Sequence, residues 1–108
     1  MANTFKLKTK ANVGVSTSNV YVVPSATTTV VIGVTLANTS GSSINVGVGV
    51  TRASTDDVKL MKNVPITQGS SFEFMAGNKV VLETTDTLTA ESDVSNSLDV
   101  ALTIMEIT

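Results

Sequence analysis

The sequence has no cysteine, no histidine and no tryptophan, and each absence removes a class of function. Without cysteine there are no disulfides, no thiolate nucleophile and no cysteine ligands for a metal. Without histidine the chain lacks the usual general base near neutral pH and the commonest ligand of transition metals. With three Phe and one Tyr, it is also poor in rings for stacking a sugar. We therefore expect a protein without a catalytic site, cofactor or bound metal.

Charge and hydropathy limit the partners. Nine acids against seven bases give a net charge of −2, which argues against nucleic-acid binding by the domain. No run approaches the roughly 18–20 apolar residues of a membrane span, and the first residues lack the apolar core of a secretory signal. We expect a protein made in the cytoplasm of the cell that produces it, which binds neither nucleic acid nor membrane.

β-branched residues dominate the composition, with 17 Val, 17 Thr and 5 Ile among 108 residues. These residues lose rotamer freedom in a helix and suit a pleated sheet, so an all-β chain is expected. Alternating runs separated by Ser-, Asn- and Gly-rich turns indicate about eight or nine strands. The sequence predicts one domain over residues 1–108, a two-sheet antiparallel β-sandwich that is jelly-roll or immunoglobulin-like.

The strongest pattern lies between residues 28 and 51. Aliphatic residues alternate in two runs, with a turn-forming cluster at 38–43 between them. Folded as a hairpin, the runs place eight aliphatic side chains on one face. These eight are Val30, Ile32, Val34, Leu36, Ile44, Val46, Val48 and Val50. We predict that this hairpin forms the centre of the fold.

The other face of the predicted hairpin is uncharged and includes Gly33, Thr35, Gly47 and Gly49. A solvent-facing surface would be expected to carry Lys or Glu, and glycines in a strand often mark the close approach of another backbone. One interpretation is a plain surface open to water. The other is a face covered by the N-terminal segment or by an adjacent subunit.

The N-terminal segment 1–10 is basic. Its lysines are Lys6, Lys8 and Lys10, and they alternate with Phe5 and Leu7. As a strand, the segment would turn the two apolar residues inward and the lysines outward. Such lysines guard a sheet edge against unwanted pairing, or they form an arm that docks on an acidic neighbour. Residues 80–108 hold six acids and no base, so the two ends could pair within one copy or between copies.

The carboxylates are the remaining candidates for chemistry. Asp86, Glu91 and Asp93 fall within eight residues, and Asp56 and Asp57 are adjacent in a predicted polar loop at 52–57. Calcium favours oxygen-rich loops, but the spacing of a calcium-binding loop is absent, which favours solvated acids. No motif of a serine nucleophile or a phosphate-binding loop occurs. We expect that the protein is not an enzyme.

Several segments resemble small virion structural proteins of tailed bacteriophages, especially phages of cyanobacteria and other marine bacteria. The resembling segments are Val20-Tyr21-Val22-Val23-Pro24, Val31 to Thr39, Lys62 to Ile66, Gly69-Ser70-Ser71, Gly77 to Glu83 and Ile104 to Thr108. This family often has Gly-Asp at Thr85-Asp86 and Pro-Ala-Gly at Thr67-Gln68-Gly69. The resemblance covers most of the chain and supplies no catalytic residues.

The resemblance implies a structural component of the virion, on the head, the neck or the tail. Among these we expect a capsid decoration or cement protein that binds the outside of the phage head. The resemblance also implies other virion proteins as partners, foremost the major capsid protein, together with copies of the chain in a homo-oligomer. A neck or tail accessory subunit is one alternative, and a carbohydrate-binding β-sandwich module is another. The residues predicted to contact neighbouring subunits are Lys6, Lys8, Lys10, Gly33, Thr35, Gly47 and Gly49.

Overall fold

Nine strands and no helix occur in the computed structural model, which describes residues 3–52, 56–74 and 79–108. The strands are β1 (Asn3–Val13), β2 (Ser18–Val22), β3 (Thr28–Asn38), β4 (Ile44–Thr51), β5 (Asp57–Ile66), β6 (Ser71–Phe74), β7 (Val80–Leu82), β8 (Thr87–Ser92) and β9 (Leu98–Ile107). The prediction of an all-β chain with eight or nine strands is therefore confirmed.

The strands form two antiparallel sheets that pack face to face. Sheet A has the order β1-β9-β3-β6, with β7 also paired to β3, and sheet B has the order β2-β8-β4-β5. Between them lies a core of aliphatic side chains from both sheets. Leu36, Leu102 and Ile104 of sheet A and Leu88 of sheet B have no accessible surface. The predicted β-sandwich is confirmed.

The strand order is that of a jelly roll. The first four strands pair in reverse order with the last five: β4 with β5, β3 with β6 and β7, β2 with β8, and β1 with β9. The chain is thus one long antiparallel ribbon, folded back at the β4–β5 hairpin. The ribbon rolls up until β9 meets β3 and β8 meets β4, which gives the double-sheet jelly roll rather than the immunoglobulin order.

The predicted central hairpin is wrong. β3 lies in sheet A and β4 lies in sheet B, so the core separates them and no ladder joins them. The alternation cannot distinguish the two arrangements, because strands on opposite sides of a core also turn their apolar residues toward each other. The side-chain amide of Asn38 holds the connection between the sheets by donating to the carbonyls of Ser42, at 2.8 Å, and Ile66, at 2.9 Å.

A β-bulge in the middle of β3 shifts the phase of its alternation. Val34 and Leu36 face the core as predicted, and the four predicted inward residues of β4 are all buried. Before the bulge the phase is reversed, so Val30 lies on the outer face opposite Met105. Ile32, within the bulge, is only partly buried. The prediction that Val30 and Ile32 face inward is therefore wrong.

β1 is inverted relative to the prediction. Phe5 and Leu7 face solvent, with 69% and 64% of their surfaces exposed, and Lys6 and Lys8 lie on the inner side. Alternation shows that a strand has two different faces, but it does not show which one meets the core. β1 is the edge strand of sheet A, so its inner side reaches past the core to polar partners. Inward-pointing charges of this kind oppose pairing with other chains.

Smaller differences concern loops. Pro65, predicted to begin a connection, lies inside β5, which is tolerated because β5 is the edge strand of sheet B. The predicted turn at 76–78 lies outside the described residues, as do residues 53–55 of the predicted polar loop.

Candidate assembly surfaces

The outer face of sheet A carries three rows of residues that run across its strands in register. The first row, the ridge, consists of Phe5, Met105, Val30 and Val81. The central row consists of Leu7, Thr103 and Gly33. The third row consists of Thr9, Ala101, Thr35 and, on the edge strand β6, Glu73. Its small residues, with the neighbouring Ala11 and Ala37, form the trough. Bulky apolar side chains therefore occupy one end of the face, and small residues the other.

The two ends of the ridge are exposed. Val81 is 60% accessible and Phe5 more so, whereas Val30 and Met105 between them are half-buried. The outer face of an antiparallel sheet is ordinarily polar. Covering a large apolar side chain stabilises by about 1.5–3 kcal/mol. Contiguous exposed apolar patches on soluble proteins mark contact sites. The ridge therefore has the chemistry of a surface that gains from being covered.

The trough is a shallow depression of about 210 Å³. Besides its own residues it is lined by Lys10, Asp99 and Val100, and no aromatic side chain contributes. A second depression of about 200 Å³, near Val50 and Leu60, also lacks an aromatic wall. Neither depression offers the stacking platform that a sugar requires.

Charge is sparse on this face. Alternation along the five strands places only two charged residues outward, Glu73 of β6 and Asp99 of β9. Both lie at the trough end, and the Asp99 carboxylate accepts a hydrogen bond from the Asn12 N–H at 3.0 Å. Of the predicted contacts, Gly33 and Thr35 lie on this face and Lys10 lines the trough. A Cβ built at Gly33 would meet open space.

Gly47 and Gly49 lie on the outer face of sheet B, on the other side of the molecule. Their expected common surface with Gly33 and Thr35 does not exist, because β3 and β4 belong to different sheets. The close backbone approach at these glycines comes from β5 of the same chain. A Cβ at Gly49 would lie 2.9 Å from the Val58 carbonyl oxygen.

Side chains of the same chain also cover these glycines. The Lys59 ammonium lies 2.9 Å from the Glu91 carboxylate, and Glu91 Cγ is 3.4 Å from where a Gly47 Cβ would stand. Hydrogen bonds from Lys59 and from the Thr17 hydroxyl hold the pKa of Glu91 below its usual value. The cover is therefore internal, and residues 3–10, the described part of the N-terminal segment, take no part in it.

Lys6 belongs to a buried polar cluster that joins four strands of both sheets. Its ammonium lies 2.8 Å from the Glu106 carboxylate, which also accepts a hydrogen bond from the Tyr21 hydroxyl at 2.5 Å. The Tyr21 and Thr29 hydroxyls are 2.8 Å apart. Lys8 lies over the Tyr21 ring, 5.9 Å from its centroid, a distance that allows a cation–π contact.

The cluster shifts two pKa values. Hydrogen bonds from Lys6 and Tyr21 hold the pKa of Glu106 below its usual value. Burial, together with the hydrogen bond to Glu106, raises the pKa of Tyr21 to about 12. Such shifts also occur at catalytic sites. Here, however, the groups satisfy one another, and no buried side-chain polar atom in the described residues lacks a partner. The cluster therefore has a structural role.

The three neighbouring acids of the sequence are not brought together. Asp86 bonds to Arg52 at 3.2 Å, Glu91 pairs with Lys59, and Asp93 accepts the Asn45 N–H at 3.0 Å. The described parts of the chain contain no group of three His, Cys, Asp or Glu side chains that could hold a metal. Nor does any helix there have the length and hydropathy to cross a membrane.

The ridge is the feature that sequence reasoning missed. A signal existed in the consecutive apolar residues 30–32 and 80–82, because a strand with apolar side chains on both faces reads as a continuous run rather than an alternation.

Comparisons with known proteins inform the fold. No protein-family model matches the chain, and no curated protein matches it. The fold is similar to that of a chain in a solved structure described as "Bacillus endospore appendages form a novel family of disulfide-linked pili". The similarity has a TM-score of 0.59 at 11% sequence identity and covers 99% of this chain and 87% of that chain.

Proposed function

We propose that the protein is a non-enzymatic structural subunit of a phage particle, a decoration or cement protein on the outside of the capsid. What supports an assembly role is the ridge, an uncharged row of apolar side chains that crosses four strands of sheet A. What supports the phage assignment is the resemblance of the chain from about residue 20 onward to small virion proteins. The role requires neither a catalytic group nor a cofactor.

A subunit of this kind stabilises the shell through many identical contacts. It binds across contacts between capsid proteins, and many copies on one shell multiply an interface that is modest for each copy. Its partners in this proposal are the major capsid protein and further copies of the chain. The described surfaces suit that role, because they are broad sheet faces rather than a cleft.

β1 is the proposed contact with the shell. It pairs with β9 on one side only, so its other backbone edge is open in the described structure. Lys6 is engaged by Glu106, whereas no carboxylate of the described residues lies within ion-pair distance of Lys8 or Lys10. Neither lysine has a carboxylate partner to give up, although Lys8 contacts the Tyr21 ring, so in this proposal both pair with an acidic neighbour.

The test is the binding of purified protein to particles that lack it. We expect saturation at a copy number that covers the shell, with affinity that falls as salt screens the lysine contacts over about 8–10 Å. The double variant Lys8→Gln/Lys10→Gln should bind several-fold more weakly and with a smaller salt dependence. Lys62→Gln, an exposed lysine of β5, is the matched control and should bind normally.

Copy number separates the alternatives. Occupancy of a single ring would favour a neck or tail accessory subunit. Unchanged binding of the double variant Lys8→Gln/Lys10→Gln would remove β1 from the contact. Specific binding to a glycan would favour the carbohydrate module. The structurally similar chain comes from appendages described as disulfide-linked pili. Such links require cysteine, which this chain lacks.

A further inference from the structure

The outer face of sheet A is complementary to itself in shape. On β1 and β9, the ridge and the third row lie two residues to either side of the central row, or about 7 Å along the strands. A second copy can be placed on this face by a rotation of 180° about an axis that runs along the central row. The bulky end of one copy then lies opposite the small-residue end of the other.

We infer that this face binds the same face of a second copy, with the ridge of each copy seated in the trough of the other. Phe5 then lies over Thr9 of the partner subunit, and Met105 lies over Ala101 of the partner subunit. The contact is isologous and closes on itself as a two-fold dimer. The dimer deepens the proposed assembly role by naming a partner, and it rests on that role for its place in the particle.

Charge selects this orientation. The two outward carboxylates, Glu73 and Asp99, both lie at the trough end. The half-turn keeps the carboxylates of the two copies at opposite ends of the interface, so they do not repel. Stacking the copies in the other orientation would set ridge on ridge and bring the carboxylates together, which costs both packing and electrostatic energy.

The outer face of sheet A has nearly the area of a standard protein–protein interface. β1, β9 and β3 are about ten residues long, and the short strands β6 and β7 share a fourth position beside β3. With strands about 4.8 Å apart, the face measures at most about 19 Å by 33 Å. The accessible area of such a face exceeds its flat area of roughly 600 Å², because the side chains project from it. It approaches the roughly 800 Å² per partner of a standard interface. Twisted sheets also stack readily, with strands crossing at about −30°.

Pairing through the edge of β1 is the competing way to join two copies. In an antiparallel pairing of β1 with itself, directly opposite residues lie on the same face. The alternation of β1 then sets lysines of one copy against lysines of the other, and like charges directly opposite are destabilising. Stacking through the outer face avoids this repulsion.

The first test is molar mass in solution, measured by light scattering at roughly 100 µM, above the micromolar dissociation constants of the weaker interfaces of this size. We expect twice the chain mass of 11.2 kDa. Phe5→Asp should halve the measured mass. Val22→Asp should leave it unchanged, because Val22 is 52% exposed but lies on sheet B. A single-chain mass for the wild type would overturn the dimer.

The second test uses the absence of cysteine. Leu7 lies on the proposed axis, so the two copies of residue 7 face each other in the dimer. The variant Leu7→Cys should therefore form a disulfide between the two subunits at this position. Phe5→Cys mixed with Thr9→Cys should give the mixed disulfide in several-fold excess over either variant alone. Val22→Cys is the control and should remain reduced. Equal cross-linking at all four positions would overturn the proposed register.

The two proposals fail separately. A protein that is monomeric in both tests but covers phage heads would overturn the dimer and leave the decoration role standing. A dimer that cross-links as described but binds no particle would establish the sheet A contact and overturn the decoration role.

Discussion

Lys6 Nζ lies 2.8 Å from Glu106 Oε1, so a charge pair ties the first strand to the last. Glu106 is only 5% exposed, and a buried carboxylate needs partners to offset its lost hydration. Lys6 and Tyr21 supply them from β1 and β2. The pair therefore fastens β1 to the sandwich, even though most of that strand is exposed.

Replacing Lys6 tests this fastening. In Lys6→Met the buried carboxylate keeps Tyr21 but loses its cation, so the free energy of unfolding should fall by about 1–3 kcal/mol. Urea denaturation measures the change. Lys10→Met is the matched control, since Lys10 forms no ion pair within the described residues, and it should change stability by less than about 0.5 kcal/mol. Equal losses in the two variants would show that the Lys6–Glu106 ion pair contributes nothing to the free energy of unfolding.

Acid should weaken the same cluster. The pKa of Glu106 is lowered in the folded state by Lys6 and Tyr21. A carboxyl of this kind stabilises the fold above its unfolded pKa, about 4.3, and the stabilisation is lost as pH falls through the folded pKa. We expect the free energy of unfolding to decline below about pH 4. Glu106→Gln should start lower but decline less, and parallel curves would contradict the prediction.

Alkali should act through Tyr21. Its pKa is raised to about 12 in the folded state, so the associated stability is complete below the unfolded pKa of about 10 and is lost as pH rises from there toward the folded pKa. Tyr21 is the only tyrosine and there is no tryptophan, so tyrosinate absorbance reports this residue alone. We expect little ionisation in the folded protein near pH 10. A midpoint there, with the fold intact, would contradict the buried hydrogen bond.

Two glycines should differ in their response to the same substitution. In Gly49→Ala the new Cβ would lie 2.9 Å from the Val58 carbonyl oxygen and 3.3 Å from Lys59 Cδ. We expect a loss of about 1–3 kcal/mol from overpacking, measured as a lower denaturation midpoint. Gly33→Ala places its Cβ in open space and should be nearly neutral. A neutral Gly49→Ala would mean that β5 moves away freely.

Thr85 occupies a conformation that suits glycine. Its φ is +73°, at the third position of a turn closed by the Asp86 N–H donating to the Glu83 carbonyl at 3.0 Å. The left-handed region costs a non-glycine residue about 1–2 kcal/mol, and glycine returns about 0.5–1 kcal/mol of this as extra entropy of the unfolded chain. Thr85→Gly should therefore stabilise by about 0.5–1 kcal/mol, measured by thermal unfolding.

The matched control for Thr85 is Gly69, which has a φ of +71° in the turn closed by Ser70 and Thr67. A Cβ there meets no atom within 4 Å, so Gly69→Thr isolates the conformational cost and should destabilise.

The sequence predicted the positions of the strands better than it predicted which strands pair with each other. β4 alternates without interruption, and its inward residues are as expected. β3 and β4 were paired wrongly, because an inward-facing pattern is satisfied equally by a hairpin and by two strands across a core. The phase of Val30 was wrong because a bulge leaves no mark in the pattern of apolar residues.

The candidate surfaces were predicted less well for the same reason. Assigning Phe5 and Leu7 to the core hid the ridge, since an edge strand can turn its apolar side outward while its lysines find polar partners inside. Gly33 and Gly49 looked equivalent in sequence. Their environments differ because β5 approaches Gly49 closely, and that approach depends on which strands pair.

The pairing of β1 with β9 also governs the order in which the fold can form. In a ribbon folded back at the β4–β5 hairpin, each successive pair closes a longer loop, and closing longer loops costs more entropy. A hairpin forms in about 1–10 µs, whereas sandwiches dominated by distant pairings fold in milliseconds to seconds. During synthesis β1 emerges first but cannot pair until β9 has left the ribosome. Throughout that interval Phe5 and Leu7 are available to chaperones and to other nascent chains.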